Sequence, residues 1–371
     1  MLDKVSIKTM EKQQYRIIGK NYHSAVKICG WTKKMLKDEG GCYKLKFYGI
    51  MSHQCLQMTT SMSCANRCTF CWRDYKAPVS EDWKWGIDKP EDIIKESLEA
   101  HYKLLVGNKG NDKVSPEAFE SSRTVKHVAL SLTGEPIMYP RINELVDKFH
   151  AKGISTFLVT NAQYPEAIKN LKEITQLYIS VDAPNKEILK ELDKPLFKNY
   201  WERLLKSLDY MKEKKARTCL RLTCVKGINM CDLKGYKDLI NRADPDFLEV
   251  KGFMLVGAST NRLEKQNMPF HEDIVAFSKA LLKHLPEYEI VSEHISSRVI
   301  LFAKKKFKID DEWHTWINFP KFHQLVDERK EFTSMDYLKK TPQTGISGRG
   351  TVERMPKIDE KTNELEFWTE E

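Results

Sequence analysis

Three cysteines stand within eight residues, in the run Cys64-Ala65-Asn66-Arg67-Cys68-Thr69-Phe70-Cys71. Three thiolates on one short loop can ligate three corners of a cubane iron–sulfur cluster and leave the fourth iron open as a binding position. Two other readings use the same residues. Positions i, i+4 and i+7 share a helix face, which would make the thiols packed core side chains, and zinc also takes thiolates at such spacings. Asn66 and Arg67 inside the triplet, with an apolar strand-like run upstream, speak against the buried helix face. Cys29, Cys42 and Cys55 precede the triplet at intervals of 13 and 13 residues. That is too wide for a compact metal knuckle, and spacing alone reads them as buried thiols, like Cys219, Cys224 and Cys231. Nine cysteines, six of them between Cys29 and Cys71, fit thiols or metal ligands in a reducing compartment better than a disulfide framework.

Such side chains act together only if the fold presents them on one face. From residue 55 onward, short β-rich runs alternate with longer helical patterns. The predicted strands are 55–60, 127–132, 156–159, 177–181, 220–225 and 247–254. The predicted helices are 90–105, 141–152, 164–171, 199–215, 232–242 and 272–285. Alternation of this kind implies βαβ units with right-handed crossovers around a parallel sheet, hence an α/β chain. Length does not separate a full or partial barrel from a doubly wound open sheet. The residues just past each strand are more informative: the cysteine run after the first, Thr133-Gly134-Glu135-Pro136 after the second, Thr160-Asn161 after the third and Asp182-Ala183 after the fourth. Loops at the C-terminal ends of parallel strands share one face, so these four motifs point to one site.

The whole chain has 371 residues, 61 Lys and Arg against 52 Asp and Glu for a net charge of +9, and 41% hydrophobic residues. Those proportions belong to a globular chain with a substantial core, not to a disordered or linker-dominated one. No apolar run approaches the roughly 18 residues needed to span a bilayer. The first eight residues lack the apolar core of a signal peptide, so secretion and membrane insertion are not expected and the cytoplasm is. A mild positive excess is compatible with a polyanionic partner. Basic residues gather at Lys33, Lys34 and Lys37, from Lys212 to Arg217, and at Lys304, Lys305, Lys306 and Lys308. Each run alone reads as a solvated face; together they keep RNA among the candidate partners. Residues 1–54 read as basic and loop-rich. Beyond 300 the chain turns aromatic, with a loop expected at 341–350, and both ends are expected to pack on a core at 55–300 as extensions.

The CxxxCxxC loop after the first strand of a β/α chain resembles the radical S-adenosylmethionine superfamily. The resemblance covers most of residues 55–295 and implies a partial (β/α) barrel with N- and C-terminal extensions. In that superfamily the open iron of a [4Fe–4S] cluster chelates S-adenosylmethionine, and one electron cleaves the sulfonium to release a 5′-deoxyadenosyl radical. The resemblance implies that Cys64, Cys68 and Cys71 hold this cluster. It also implies that Gly134, Glu135 and Pro136 form the S-adenosylmethionine-binding turn, where the glycine allows close backbone approach and the acid receives the methionine ammonium, and that Asn161, Ser180 and Asp182 contact methionine or ribose. Phe47-Tyr48-Gly49-Ile50, Ser52-His53-Gln54-Cys55, Cys68 through Asp74, Val225-Lys226-Gly227-Ile228-Asn229, Met268-Pro269-Phe270-His271 and the aromatic run at 313–319 are similar to the archaeal type of tRNA 4-demethylwyosine synthase. That similarity runs nearly end to end.

This second resemblance implies an activity: condensation of N1-methylguanosine at position 37 of tRNA-Phe with pyruvate to give 4-demethylwyosine. It implies a second [4Fe–4S] cluster on Cys29, Cys42 and Cys55, and a Schiff base between pyruvate and Lys44, two residues after the second of those cysteines. Burial and nearby cations lower a lysine pKa and free its amine for such chemistry. With 54 residues ahead of the core, the electron is expected from a separate donor such as a ferredoxin or flavodoxin, and the protein is expected to be a monomer. Lys304, Lys305 and Lys306 are candidate contacts to the tRNA-Phe anticodon loop, and Trp72, Trp313 and Trp316 are candidate stacking platforms for an extruded base. Two other functions remain open at this point: a radical enzyme acting on another RNA or a peptide, and a non-catalytic iron–sulfur protein that binds RNA or carries electrons.

Overall fold

The computed structural model describes residues 4–74 and 76–342, together with a two-residue strand pair at Lys357–Ile358 and Leu365–Glu366. A ten-stranded sheet runs β1 (Arg16–Ile18), β2 (Ser24–Val26), β3 (Cys55–Thr59), β4 (His127–Leu130), β5 (Ser155–Thr160), β6 (Gln176–Ser180), β7 (Arg217–Cys224) and β8 (Phe247–Gly252) side by side in chain order. Beyond β8 lies β10 (Val299–Lys304), with β9 (Tyr288–His294) at the edge. From β3 to β8 every neighbouring pair is parallel. The flanking pairs β1–β2, β2–β3, β8–β10 and β10–β9 are antiparallel.

The helices come in the order α1 (Lys4–Lys12), α2 (Gly30–Met35), α3 (Tyr43–Tyr48), α4 (Pro90–Val106), α5 (Pro116–Ser122), α6 (Ile142–His150), α7 (Pro165–Lys169), α8 (Lys186–Asp193), α9 (Tyr200–Lys212), α10 (Leu233–Ala243), α11 (His271–Leu282) and α12 (Phe319–Asp327). Their starts carry the expected chemistry. Pro90 opens α4 with Glu91 and Asp92 in its first turn, and the Asn185 side chain accepts from the Ile188 N–H at the head of α8.

Side-chain period two divides the sheet into faces. Leu158, Leu177, Ile179, Leu220, Leu222, Leu248 and Ile300 join the helices in one large core. Phe157, Tyr178, Cys219, Phe247 and Leu301 face the other way and pack on Tyr43, Phe47 and Tyr48 of α3. Cys55 and Gln57 of β3 line the same cavity as Arg221 of β7 and Lys251 of β8. In a flat sheet β3 and β7, four strands apart, would lie about 19 Å from one another. The sheet is therefore rolled, an open barrel with α3 inside it.

The described C-terminal residues close the end of this barrel where the parallel strands begin. Thr315 Oγ1 donates to Phe47 O at 2.8 Å, the Trp316 indole donates to Lys46 O at 2.9 Å, and Arg217, first residue of β7, donates to Thr315 O at 2.7 Å. The N-terminal residues are less separate than expected, because β1 and β2 extend the sheet itself. Apart from Thr341 and Pro342, the expected loop at 341–350 lies outside the described residues.

Candidate functional site

The cysteine run leaves β3 as an extended loop, not a helix, so the thiols are not one face of a packed helix. Arg73 holds this loop closed: its guanidinium donates to Met62 O and Pro78 O, both at 3.0 Å, and to Asn66 O at 3.3 Å. The end of α8 stitches the other side, where Arg67 N donates to Asp193 O at 2.9 Å and Thr69 N to Leu192 O at 2.7 Å. Arg262, from the segment after β8, donates to the carbonyls of Cys71 and Arg73.

The motifs after the next strands converge on this loop. Gly134 has φ +65°, and a Cβ there would stand 1.9 Å from Ser61 O, so only glycine lets the two loops approach. Glu135 N then donates to Ser63 O at 2.7 Å. Asn161 ties three parts together: its N–H donates to Glu135 Oε2 at 2.9 Å and its amide to Cys64 Sγ at 3.3 Å. Asp182 accepts from Thr223 N at 3.3 Å. Asn229, from the Val225–Asn229 turn, donates to Asp182 O and Thr223 O, both at 2.7 Å. Ser180 closes β6 beside Arg221. Burial pushes the Glu135 carboxyl up to about 7 and that of Asp182 up to about 6.

Beside this cluster opens a cavity of about 420 Å³, and Phe70 and Trp72, on either side of Cys71, form part of its wall. Cys29, Cys42 and Cys55 line it together. Cys29 immediately precedes α2, Cys42 precedes α3 and Cys55 begins β3, so three element boundaries bring the distant thiols to one wall. Lys44, in the first turn of α3, extends into the same space with its ammonium 4.4 Å from the Tyr178 ring centroid and 6.0 Å from that of Phe157. Burial and then neighbouring Arg221 hold its pKa below the usual lysine value. Lys251 lines the same cavity and is brought down to about 8 by burial, then by Arg221. The carboxylate of Glu249 lies beneath, accepting from Arg221 Nε at 3.0 Å, Tyr48 OH at 3.0 Å and Tyr43 OH at 3.2 Å.

The residues fit the groups that the sequence suggested. Glu135 Oε1 is buried without a hydrogen-bond partner, an arrangement that suits an incoming ammonium. Among the described residues no three His, Cys, Asp or Glu side chains converge on a single ion. In a cubane each thiolate takes a different iron, so its cysteines need not meet at one point. Without iron, burial pushes Cys42, Cys55 and Cys64 up to about 12, so none is a free thiolate nucleophile; a bound metal's charge would hold them ionised.

Other candidate residues lie away from the cavity. Lys304, Lys305 and Lys306 lie where β10 ends, beside the starting residues of β8 and β9, at the end of the sheet opposite the cavity. Lys304 pairs with Asp244 at 2.5 Å and Lys306 with Asp246 at 2.7 Å. Trp313 and Trp316 pack at the same distant end, leaving Trp72 of the three tryptophans on the cavity wall. Arg221, Glu249, Lys251 and Trp31 escaped the sequence reading. For the first three a signal existed, since charged side chains at alternate positions of otherwise apolar strands imply a polar patch on one sheet face.

Comparison with known proteins bears on the same residues. A model of the radical SAM superfamily matches residues 58–240, and one described as wyosine base formation matches 242–304. A protein of Oryza sativa subsp. japonica named S-adenosyl-L-methionine-dependent tRNA 4-demethylwyosine synthase is 50% identical over 343 residues, covering 92% of this chain and 52% of the relative. The chain thus spans about half the length of the curated relatives it matches. A solved structure of TYW1 with a lysine–pyruvate adduct bound shares 37% identity and aligns with a TM-score of 0.74, over 84% of this chain and 99% of the other. For an archaeal TYW1 the identity is 35% and the TM-score 0.68 over the same shares. On these grounds the chain belongs to the TYW1 family of radical SAM proteins.

Proposed function

We propose that this protein condenses N1-methylguanosine at position 37 of tRNA-Phe with pyruvate to form 4-demethylwyosine. A lysine amine in a cavity lined by three cysteines, beside a second cysteine triad, carries the reading. It agrees with the lysine–pyruvate adduct named for a solved relative. A [4Fe–4S] cluster and S-adenosylmethionine are the cofactors of the radical SAM superfamily; Cys64, Cys68 and Cys71 would hold the first and Glu135, Asn161, Ser180 and Asp182 the second. When bound they supply one-electron cleavage of the sulfonium, chemistry that no side chain performs. A second [4Fe–4S] cluster would sit on Cys29, Cys42 and Cys55.

The chain's own part is positioning. Lys44 attacks the keto carbon of pyruvate as a neutral amine, forming C=N with loss of water, and burial beside Arg221 favours the neutral form. Phe70 and Trp72, on either side of Cys71, line the space where the methylated base would enter. The anticodon loop approaches the mouth, where the Lys33, Lys34 and Lys37 run comes after Trp31 and Lys34 lies 4.8 Å from that ring. Segments 1–54, 55–300 and 301–371 act as one monomeric unit, with the electron delivered by a separate ferredoxin or flavodoxin and the reaction run in the cytoplasm.

The deciding experiment is anaerobic turnover of reconstituted protein with dithionite, S-adenosylmethionine, pyruvate and tRNA-Phe carrying N1-methylguanosine, read by mass spectrometry of digested nucleosides. A pyruvate-dependent tricyclic nucleoside is expected. Deoxyadenosine without it would discard the substrate and keep the radical chemistry; neither product, from protein holding iron and sulfide, would discard both.

A further inference from the structure

The cavity holds three cationic side chains, and their charges are not equally answered. Arg221 spends its guanidinium on Glu249 at 3.0 Å and on the Tyr43 hydroxyl at 2.8 Å. Lys44 is assigned above as the amine that binds the keto carbon. Lys251 is the remaining one. Its ammonium donates to Ser297 O at 2.7 Å and lies 5.5 Å from the Tyr43 ring centroid. No carboxylate stands within ion-pair distance of it among the described residues. An ammonium has three donors, and leaving a partly desolvated charge without a counter-ion is costly. Cys42 and Glu249 stand near enough to act on the Lys251 charge, yet its one hydrogen bond, to Ser297 O, leaves two of its three donors for a small anion.

The strand register says where that anion would lie. Lys251 sits level with Thr223 of β7, and Arg221 and Glu249 form the paired rung two residues below. Lys44, from α3, points to the Tyr178 ring, which belongs to a lower rung again, with Cys219 and Phe247. Lys44 and Lys251 thus enter one cavity from different rungs. With Lys44 read as the amine that attacks a carbonyl, a ligand that also meets Lys251 would carry an anionic group beside that carbonyl.

We propose that Lys251 is a specificity-determining residue that receives the carboxylate of the 2-oxo acid while Lys44 takes its keto carbon. The proposal rests on the reading of Lys44 given above. Lys251 forms no covalent bond; it holds the acid by charge and hydrogen bond, so it selects 2-oxo acids over neutral ketones and amides and fixes which face of the carbonyl meets the Lys44 amine.

Borohydride trapping on the intact, cluster-bearing protein tests this without turnover, with adduct on Lys44 quantified by peptide mass spectrometry against concentration of pyruvate or of its neutral amide, pyruvamide. Wild-type protein should half-saturate with pyruvate at a concentration at least tenfold below that for pyruvamide, a comparison that needs no variant. Lys251→Met should raise the pyruvate value tenfold or more and change the pyruvamide value less than twofold, and Lys251→Arg should recover most of the loss. Equal weakening toward both compounds, or no change with either, would overturn the proposal while leaving Lys44 as the amine. Wild-type protein that traps neither compound would overturn both.

Discussion

Gly134 and Glu135 show how tightly single residues are specified here. A methyl group at Gly134 would overlap Ser61 O, and the positive φ adds strain of its own. Gly134→Ala should cost about 2–4 kcal/mol in urea unfolding and abolish S-adenosylmethionine binding measured by equilibrium dialysis; an unchanged midpoint would refute the close approach. Lys44 is specified differently, by function and not by packing. Lys44→Ala should unfold within about 1 kcal/mol of wild type and still bind iron, yet give no borohydride-trapped pyruvate and no tricyclic nucleoside. Adduct found on another lysine of that variant would unseat the assignment.

Among the elements, the loop from Cys64 to Asp74 depends on Arg73 within it and on two neighbours distant in sequence, the end of α8 and Arg262 after β8. Arg73→Ala removes three hydrogen bonds to carbonyls in and flanking the loop, each worth about 1.5–3 kcal/mol because the donor is charged. The expected outcome is loss of the first cluster, with iron after anaerobic reconstitution falling to about half while Cys29, Cys42 and Cys55 keep theirs. Full iron content would show that the loop is held without Arg73. The aromatic rim and the basic run on α2 belong to this scale too. Replacing Lys33, Lys34 and Lys37 with Ala should weaken tRNA binding and flatten its salt dependence by about 0.7–0.9 per lost phosphate contact. The same change at Lys304, Lys305 and Lys306 should not, since two of these are already paired with aspartates at the far end of the barrel. Equal effects of the two triple variants would put the tRNA across both ends.

For the molecule as a whole, three buried imidazoles set the acid limit of stability. Burial lowers His101 to about 4, and His127 and His150 each to about 3. An unfolded chain protonates them near pH 6.5, so their contribution is complete above that value and is lost as pH falls toward the folded values. The loss is at most about 1.4 kcal/mol per pH unit for each. His101 has both ring nitrogens buried without partners. His101→Leu should therefore stabilise the chain by about 2 kcal/mol more at pH 5 than at pH 8 in urea titrations; an equal gain at both would mean the imidazole is not held neutral. Among the described residues no helix is long and apolar enough to cross a membrane.

Local causes are legible in this sequence, and distant ones are not. The six parallel strands and most of the helices between them can be read because hydrophobic period and turn residues are local properties, and their ends fall within a few residues of the expected ones, whereas the short α5 and α8 are not expected. Strand-end motifs at Glu135, Asn161 and Asp182 are legible for a related reason, since parallel strands put consecutive loops on one face whatever the closure. Four features are not. α3 is six residues long and apolar on most sides, too short to show a period. β1 and β2 have three residues each and exist only by pairing, β2 with β3 and β1 with β2. The approach of Cys29, Cys42 and Cys55 depends on how the sheet rolls, which no interval of 13 residues encodes. Whether a lysine lies in a cavity or pairs with an aspartate at the far end is decided by strand register: Lys251 and Lys304 look alike in sequence, and only tertiary packing leaves one without a carboxylate and gives the other Asp244.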